Sequence, residues 1–335
     1  MRSGKLKLLL ILVFALFLLA GASALGLYYY VNEVPSVKTD TVVEIPKGKG
    51  VRGIAVMLED EGVVASGRLF LYYSVVSGVQ NRLQAGEYEF KKGSTVSDVL
   101  ARIVKGDVLL HRVTIPEGLT VKETALLLDK KGLFPSADFL AAAADPGLVA
   151  SLPGPPLTGA EGYLYPETYT YKKGVTPEEF VRMMTDRFRS VYASFDGMKN
   201  RVNLTDNEII ILASMIEKEA GDVKERPLVS AVFHNRLRAG MRLESDPTVI
   251  YGMGDDFDGN LVRSDLRTMT QYNTYVIKGL PPGPIANPGK GSIEAALDPA
   301  PVDYLYFVSR GDGTHVFSTS YRDHVNAVNR YQRRR

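Results

Sequence analysis

The sequence predicts an α+β protein held at a membrane by one N-terminal helix, on three observations. Leu8 to Tyr30 is a run of 23 residues without a charge. A strand, glycine turn and helix then recur along the following stretch. Beyond these repeats, three segments with apolar residues at helical spacing lead into a loop-rich region with short strands.

The first element follows from bilayer dimensions, since about 20 apolar residues cross a hydrocarbon core as a helix. Arg2, Lys5 and Lys7 precede the run, whereas Glu33 and Asp40 follow it. The positive-inside rule therefore places residues 1–7 in the cytoplasm and everything after the 8–30 span outside. Tyr28, Tyr29 and Tyr30 suit the outer interface as an aromatic belt. The competing reading is a cleaved signal peptide, because Ala22-Ser23-Ala24 resembles a small-residue cleavage site. Continuation of the apolar run past Ala24 favours the anchor. Residues 31–41 are a short polar linker.

Residues 42–145 are expected to form a small α+β module with internal repeats. "VEIPKGKGVRGIAVMLEDEG" (Val43–Gly62) aligns at an offset of 70 with "VTIPEGLTVKETALLLDKKG" (Val113–Gly132). Val43, Ile45, Pro46, Gly48, Val51, Ala55, Leu58 and Gly62 recur identically, and a looser copy runs from Tyr88 to Gly106. No such unit can bury a face alone, so the copies are expected to pack together. Gly48, Gly50 and Gly53 spell a dinucleotide-binding fingerprint. The second copy makes its turn with Thr120 and Glu123 at the later two positions, which argues against a phosphate cradle.

The Pro- and Gly-rich stretch 145–160 marks the next boundary, and residues 146–335 form the second domain. Thr176-Pro177-Glu178-Glu179 opens a helix. Helices are expected near 177–193, 205–220 and 224–239, then a strand at Tyr304–Arg310, a hairpin through "GDGTHVFS", and a closing helix from Ser320 to Arg330.

Composition removes several chemistries. With no cysteine there are no disulfides, Cys-based zinc sites or thiol nucleophiles. His111, His234, His315 and His324 show no metal-ligand spacing, and no G-x-S-x-G is present. Asp255, Asp256 and Asp258 lack the terminal glutamate of a calcium-binding loop. The formal net charge is +2 and the only basic run is Arg333 to Arg335, so no nucleic-acid surface is indicated. No metal or cofactor is expected.

The segment "IILASMIEKEAGD" carries the candidate acid, Glu219, whose alternative role is to pair with Lys218, Lys224, Arg226 or another base and only close the helix. At 100° per residue, Glu219 falls within about 20° of Leu212, in the middle of the apolar stripe. Glu217 lies about 140° away with Ser214 and Asn207, as a solvated residue or a structural ion pair. A carboxyl against an apolar wall resists ionisation, and its pKa rises toward the range a general acid needs. Asp246 is the candidate for a second carboxylate, as in a two-carboxylate hydrolase.

The runs "LASMIEKEAGDVKERPLVSAVFHNRLRAGMRLESDPTVIYGMG", "YNTYVIKGLPPGPIANPG" and "YLYFVSRGDGTHVFS", together with "EGYLYPETY" and the anchor, resemble the endolytic murein transglycosylase (YceG-like) family. The resemblance covers nearly the whole chain. It implies a single-pass inner-membrane lyase that cuts nascent peptidoglycan strands at the β-1,4 bond between N-acetylmuramic acid and N-acetylglucosamine. The products carry 1,6-anhydro ends and elongation stops. It implies Glu219 as catalytic residue, a LysM-like N-terminal portion before the α+β catalytic domain with its helical core, and membrane-embedded peptidoglycan synthases as partners. Asn235 and Arg236 suit acetamido and carboxylate groups, and Asp246, Tyr251, Tyr272, Asn273, Thr274 and Tyr275 are candidates to line the cleft. "GLPPGPI" (Gly279–Ile285) is a candidate wall. Tyr163, Tyr165 and Glu167 are similar candidates, and Glu161 is the alternative acid. The rival readings are a two-carboxylate muramidase and a non-catalytic glycan-binding scaffold.

Overall fold

A computed structural model describes residues 2–150, 152 and 159–332. Residues 151 and 153–158 of the Pro- and Gly-rich boundary and the Arg333–Arg335 tail lie outside the described residues. The architecture is mixed α+β, largely helical, with two-stranded sheets, and it divides into two compact units.

Unit 1 comprises Met1–Arg112 and Thr170–Gly174. Helix α1 (Arg2–Glu33) contains the apolar run and is long and apolar enough to cross a membrane. It continues past Tyr28, Tyr29 and Tyr30 to Glu33. Val31 is 1% exposed, and Leu27 and Tyr30 pack against the core of this unit. Residues 31–41 hold more structure than a tether. Ser36 Oγ donates to Val63 O at 2.7 Å, the Ser36 N–H donates to Ser94 O at 2.8 Å, and Val37 is buried.

Strand β1 (Thr41–Ile45) is followed by helices α2 (Val51–Asp60) and α3 (Gly67–Val76). Strand β2 (Gly86–Phe90) then leads to α4 (Val96–Lys105) and β3 (Leu110–Thr114). β1 and β2 run antiparallel with Val43 opposite Tyr88 and Thr41 opposite Phe90. Period-two alternation sends Val43, Ile45, Tyr88 and Phe90 to one buried face. The helices cover that face with Ile54, Leu58, Val99 and Ile103.

Unit 2 comprises Val113–Tyr169 and Val175–Arg335. Here the repeat expectation and the structure diverge. The first and middle copies share unit 1, but residues 113–132 of the second copy belong to unit 2. β3 takes β4 (Thr168–Lys172) as its partner, and the division between the units falls within each of these strands. The helix of this copy, α5 (Val121–Lys130), packs on α6 (Ser136–Ala143), followed by α7 (Pro146–Val149). Thr120 and Glu123, which replace the fingerprint glycines, form a reciprocal capping box at the start of α5. Their side chains occupy the helix N-terminus that a phosphate would need.

Helix α8 (Pro177–Ala193) starts on the Thr176/Glu179 capping box, and Phe134, Phe139 and Phe180 join α6 to it with ring centroids 5.7–6.5 Å apart. Then come α9 (Asp206–Glu219), capped by Thr205 and Glu208, α10 (Arg226–Arg238) and α11 (Asp246–Met253). Helix α12 (Lys290–Leu297), the hairpin β5 (Tyr306–Ser309) and β6 (His315–Ser318), and α13 (Tyr321–Tyr331) complete the chain. The helices, strand and hairpin expected after residue 176 are thus present.

Helix α9 is the axis of unit 2, packed by α10, α11 and α12. Its burial exceeds an apolar stripe, because every residue from Ile209 to Ile216 is buried, Ser214 included. Ser214 is tolerated there because its hydroxyl donates to Ile211 O at 2.7 Å and accepts the Ile285 N–H at 3.0 Å. The 279–285 loop therefore lies along the polar side of α9 where water was expected.

Candidate active site

Glu219 is the last residue of α9, and the chain turns away at Ala220 in an extended conformation. Its side chain continues the buried side of the helix, and Ser245 Oγ donates to Glu219 Oε1 at 2.6 Å. Burial pushes the Glu219 carboxyl up to about 7, against the Ser245 hydrogen bond that lowers it and with the charge of Asp246 raising it further. The negative end of the α9 dipole acts in the same direction as burial. This group exchanges its proton near neutrality, as general acid–base work requires.

The hydroxyl that meets Glu219 is held by a strained turn. Glu244 has φ 51°, the one non-glycine residue in the left-handed region among the described residues. The Glu244 N–H donates to Thr274 O at 3.2 Å, and its carboxylate pairs with Arg236 Nη1 at 3.0 Å. The Ser245 N–H donates to Thr274 Oγ1 at 2.9 Å, and Thr248 and Thr274 share a hydroxyl contact of 2.8 Å. Ser245, Thr248 and Thr274 are each 0% exposed. Ser245 and Glu244 are functional candidates that sequence reasoning missed. Their one signal was position, immediately before Asp246 in "ESDP".

Asp246 opens α11, and Tyr275 Oη donates to Asp246 Oδ1 at 2.7 Å. Burial, then the Asp246 charge, pushes the Tyr275 hydroxyl up, so it stays a donor. Further along α11, Tyr251 reaches a second carboxyl. Its hydroxyl donates to Glu161 Oε2 at 3.3 Å, and the Val121 N–H at the start of α5 contacts both Glu161 oxygens at 3.1 Å. Burial pushes Glu161 up to about 7 despite these hydrogen bonds. Tyr272 lies against Tyr251 with ring centroids 4.8 Å apart. One short helix thus carries Asp246 toward Glu219 and Tyr251 toward Glu161.

Glu217 realises the ion-pair alternative. Its side chain is 6% exposed, Arg226 Nη2 lies 2.9 Å from Oε1, and the Gly289 N–H donates to Oε2 at 2.9 Å. The same Arg226 nitrogen reaches Glu117 at 3.0 Å.

The remaining candidates scatter. Asn235 Nδ2 donates to Val302 O and Tyr304 O at 2.9 and 2.8 Å. Arg236 donates to Leu305 O, Arg242 O and Leu243 O besides Glu244. Asn273 Nδ2 donates to the Leu266 and Thr268 carbonyls, and its Oδ1 accepts the Tyr275 N–H. Arg236 and Asn273 hold backbone in place beside the site, whereas Asn235 holds the 302–304 segment. Tyr163 is fully buried and bonded to Asn207, Tyr165 is buried with Arg187 over its ring, and Glu167 pairs with Arg187 at 3.0 Å. Their partners are not those of Glu219. Among the described residues no group of three His, Asp or Glu side chains is placed to hold a metal.

Comparison with known proteins gives these residues a context. Residues 43–330 match the YceG-like family. The endolytic murein transglycosylase of Bacillus subtilis is 31% identical over 312 residues, covering 88% of this chain and 85% of the relative. That of Streptococcus pneumoniae (strain D39) is 30% identical over 347 residues, and the match spans 93% of this chain but only 62% of the longer relative. A crystal structure of a YceG-like protein from Listeria monocytogenes superposes with a TM-score of 0.59 at 32% identity, covering 86% of this chain and 99% of that one.

Proposed function

The chain belongs to the YceG-like family, and from that premise we propose that it is a membrane-anchored lytic transglycosylase cutting peptidoglycan strands internally. The bond cut is the β-1,4 link between N-acetylmuramic acid and N-acetylglucosamine. The observation that carries this reading is the desolvated Glu219 carboxyl, poised near neutrality and touched by the Ser245 hydroxyl.

Protonated Glu219 gives its proton to the glycosidic oxygen. The C1–O bond breaks, and its electron pair leaves with the N-acetylglucosamine oxygen. The 6-hydroxyl oxygen of the muramyl residue attacks C1, and its proton returns to the Glu219 carboxylate. One glycosidic C1–O4 bond is lost and one intramolecular C1–O6 acetal bond is made, with no water consumed. A single carboxyl therefore suffices, and the anhydro end blocks further elongation. The nearby Asp246 carboxylate, oriented by Tyr275, suits the positive charge that develops at C1. Tyr251 and Tyr272 offer ring faces and hydroxyls to sugar, with Glu161 setting the Tyr251 orientation. Arg236, Asn273 and Thr274 act by holding the backbone that carries these groups, and Asn235 holds the 302–304 segment instead.

In this reading α1 is a single-pass inner-membrane anchor with a cytoplasmic N-terminus. Unit 1 is a LysM-like spacer or glycan-binding module, unit 2 holds the catalytic machinery, and synthases in the same membrane supply nascent strands. No cofactor enters the reaction.

Asp246 beside Glu219 sustains one rival, a two-carboxylate muramidase. Mass spectrometry of purified glycan digested by wild type and by Glu219→Gln separates the readings. The transglycosylase yields 1,6-anhydro ends and loses roughly 10²–10⁴-fold or more of its rate in the variant. Reducing ends would establish the muramidase. A wild type that cuts nothing would leave a glycan-binding scaffold.

A further inference from the structure

We propose that the cleft between α10 and residues 299–303 is a second binding site, for a short peptide of small residues with a free carboxylate. The cleft encloses about 720 Å³, within the range of small-ligand sites. It shares no lining residue with the cluster around Glu219.

Its walls divide by chemistry. Leu204, Ala231, Pro299 and Pro301 form shallow apolar surface, suited to methyl side chains and too stiff to close over large ones. Arg201 and Arg238 add positive charge and planar donors that match a carboxylate in two-point contact. Arg201 already faces Asp298 at 3.2 Å. Arg238 has no carboxylate within ion-pair distance among the described residues, so its charge is open to an incoming anion.

The site is built and not merely exposed. The buried Asn235 holds Val302 O and Tyr304 O through Nδ2, while its Oδ1 accepts from Arg238 Nη2. One amide thus fixes the loop wall and aims the guanidinium. His234 Nε2 donates to Ala296 O at 2.9 Å, leaving Nδ1 with no hydrogen-bond partner among the described residues. Burial pushes this imidazole below its usual pKa, so Nδ1 stays a neutral acceptor. Together with the Asp303 carboxylate it offers acceptors for peptide N–H groups beside donors for the terminus. The stem peptides of the glycan proposed as substrate end in small alanines and a free carboxylate, and it is this end that the cleft suits. Naming the ligand as such a stem peptide rests on that proposal, whereas the carboxylate chemistry stands on the cleft alone.

The test is calorimetric titration of the full chain in detergent. The ligands are an N-acetylated stem pentapeptide ending in two D-alanines, its C-terminal amide, and inorganic phosphate. Wild type is expected to bind the acid at least tenfold more tightly than the amide, and phosphate more weakly than the acid. Arg238→Gln and Arg201→Gln are each expected to weaken the acid about tenfold while keeping the wild-type unfolding midpoint. Equal binding of acid and amide, no binding of either, or indifference to both substitutions would overturn the site. Phosphate binding as tight as the acid would mark a general anion site and overturn the peptide assignment. None of these arms requires cleavage, so failure of the glycan digestion would leave them readable.

Discussion

At the residue scale, the proposed chemistry turns on one hydroxyl and one carboxyl. Accepting the Ser245 hydrogen bond favours ionised Glu219, while burial opposes ionisation more strongly. Ser245→Ala removes only the stabilising contact, so the Glu219 pKa should rise. The alkaline limb of the kcat/KM profile should move to higher pH, with kcat down about tenfold. A profile shifted to lower pH would exclude this hydrogen bond as the controlling one. Glu217, two residues away, has the opposite role. Arg226 is its cationic partner, and a buried carboxylate stripped of that partner typically costs about 3–5 kcal/mol. Arg226→Ala should therefore lower stability by about that amount in denaturant unfolding, and Arg226→Met combined with Glu217→Leu should recover much of it.

At the element scale, α9 is positioned by close approaches that leave little room. Gly162 has φ 87°, and a Cβ there would stand 2.4 Å from Pro284 Cγ and 3.1 Å from Ile210 on α9. Gly162→Ala combines a left-handed backbone with a clash against a stiff loop. A loss of about 2 kcal/mol or more is expected from thermal unfolding. A neutral effect would mean that the 279–285 loop moves freely off α9. The helix starts were legible because Thr176/Glu179 and Thr205/Glu208 are local capping boxes. The burial of Ser214 was not, since a hydroxyl at that phase of a helix reads as polar until the loop covering it is known. The backbone partners of Asn235 and Arg236 were not legible for a related reason. Their donors suit sugar as well as backbone, and only the packed 302–305 segment shows that carbonyls take them.

At the scale of the whole molecule, pH and the N-terminal apolar helix both bear on stability. Glu161 and Glu219 each have a folded pKa near 7, above the ordinary glutamate value. A raised carboxyl pKa stabilises below the unfolded value near 4.5, and that contribution is lost as pH rises through 7. Each group forfeits at most about 3 kcal/mol at alkaline pH. The wild type should therefore unfold at higher temperature at pH 5 than at pH 8, and Glu161→Gln/Glu219→Gln should narrow that gap. An unchanged gap would mean that both carboxyls ionise in the ordinary range. The end of α1 belongs to the core of unit 1, so a chain beginning at residue 26 retains Leu27, Tyr30 and Val31. A chain beginning at residue 35 should unfold more readily by about 2 kcal/mol or more, roughly one buried aliphatic side chain.

Periodicity and local chemistry were enough, from sequence alone, to specify the membrane-length helix, the capped helices after residue 176 and the final hairpin, and to make Glu219 a candidate that the family resemblance then singled out. Each of these is written in residues close together in the chain. Tertiary structure alone decided that the repeat copies part company, with β3 pairing to β4, and that Ser245 on its strained turn reaches Glu219 across 26 positions. It alone placed Glu161 under Tyr251. Those outcomes depend on which distant surfaces meet, and residue spacing along one helix or strand carries no record of the partner that will cover it.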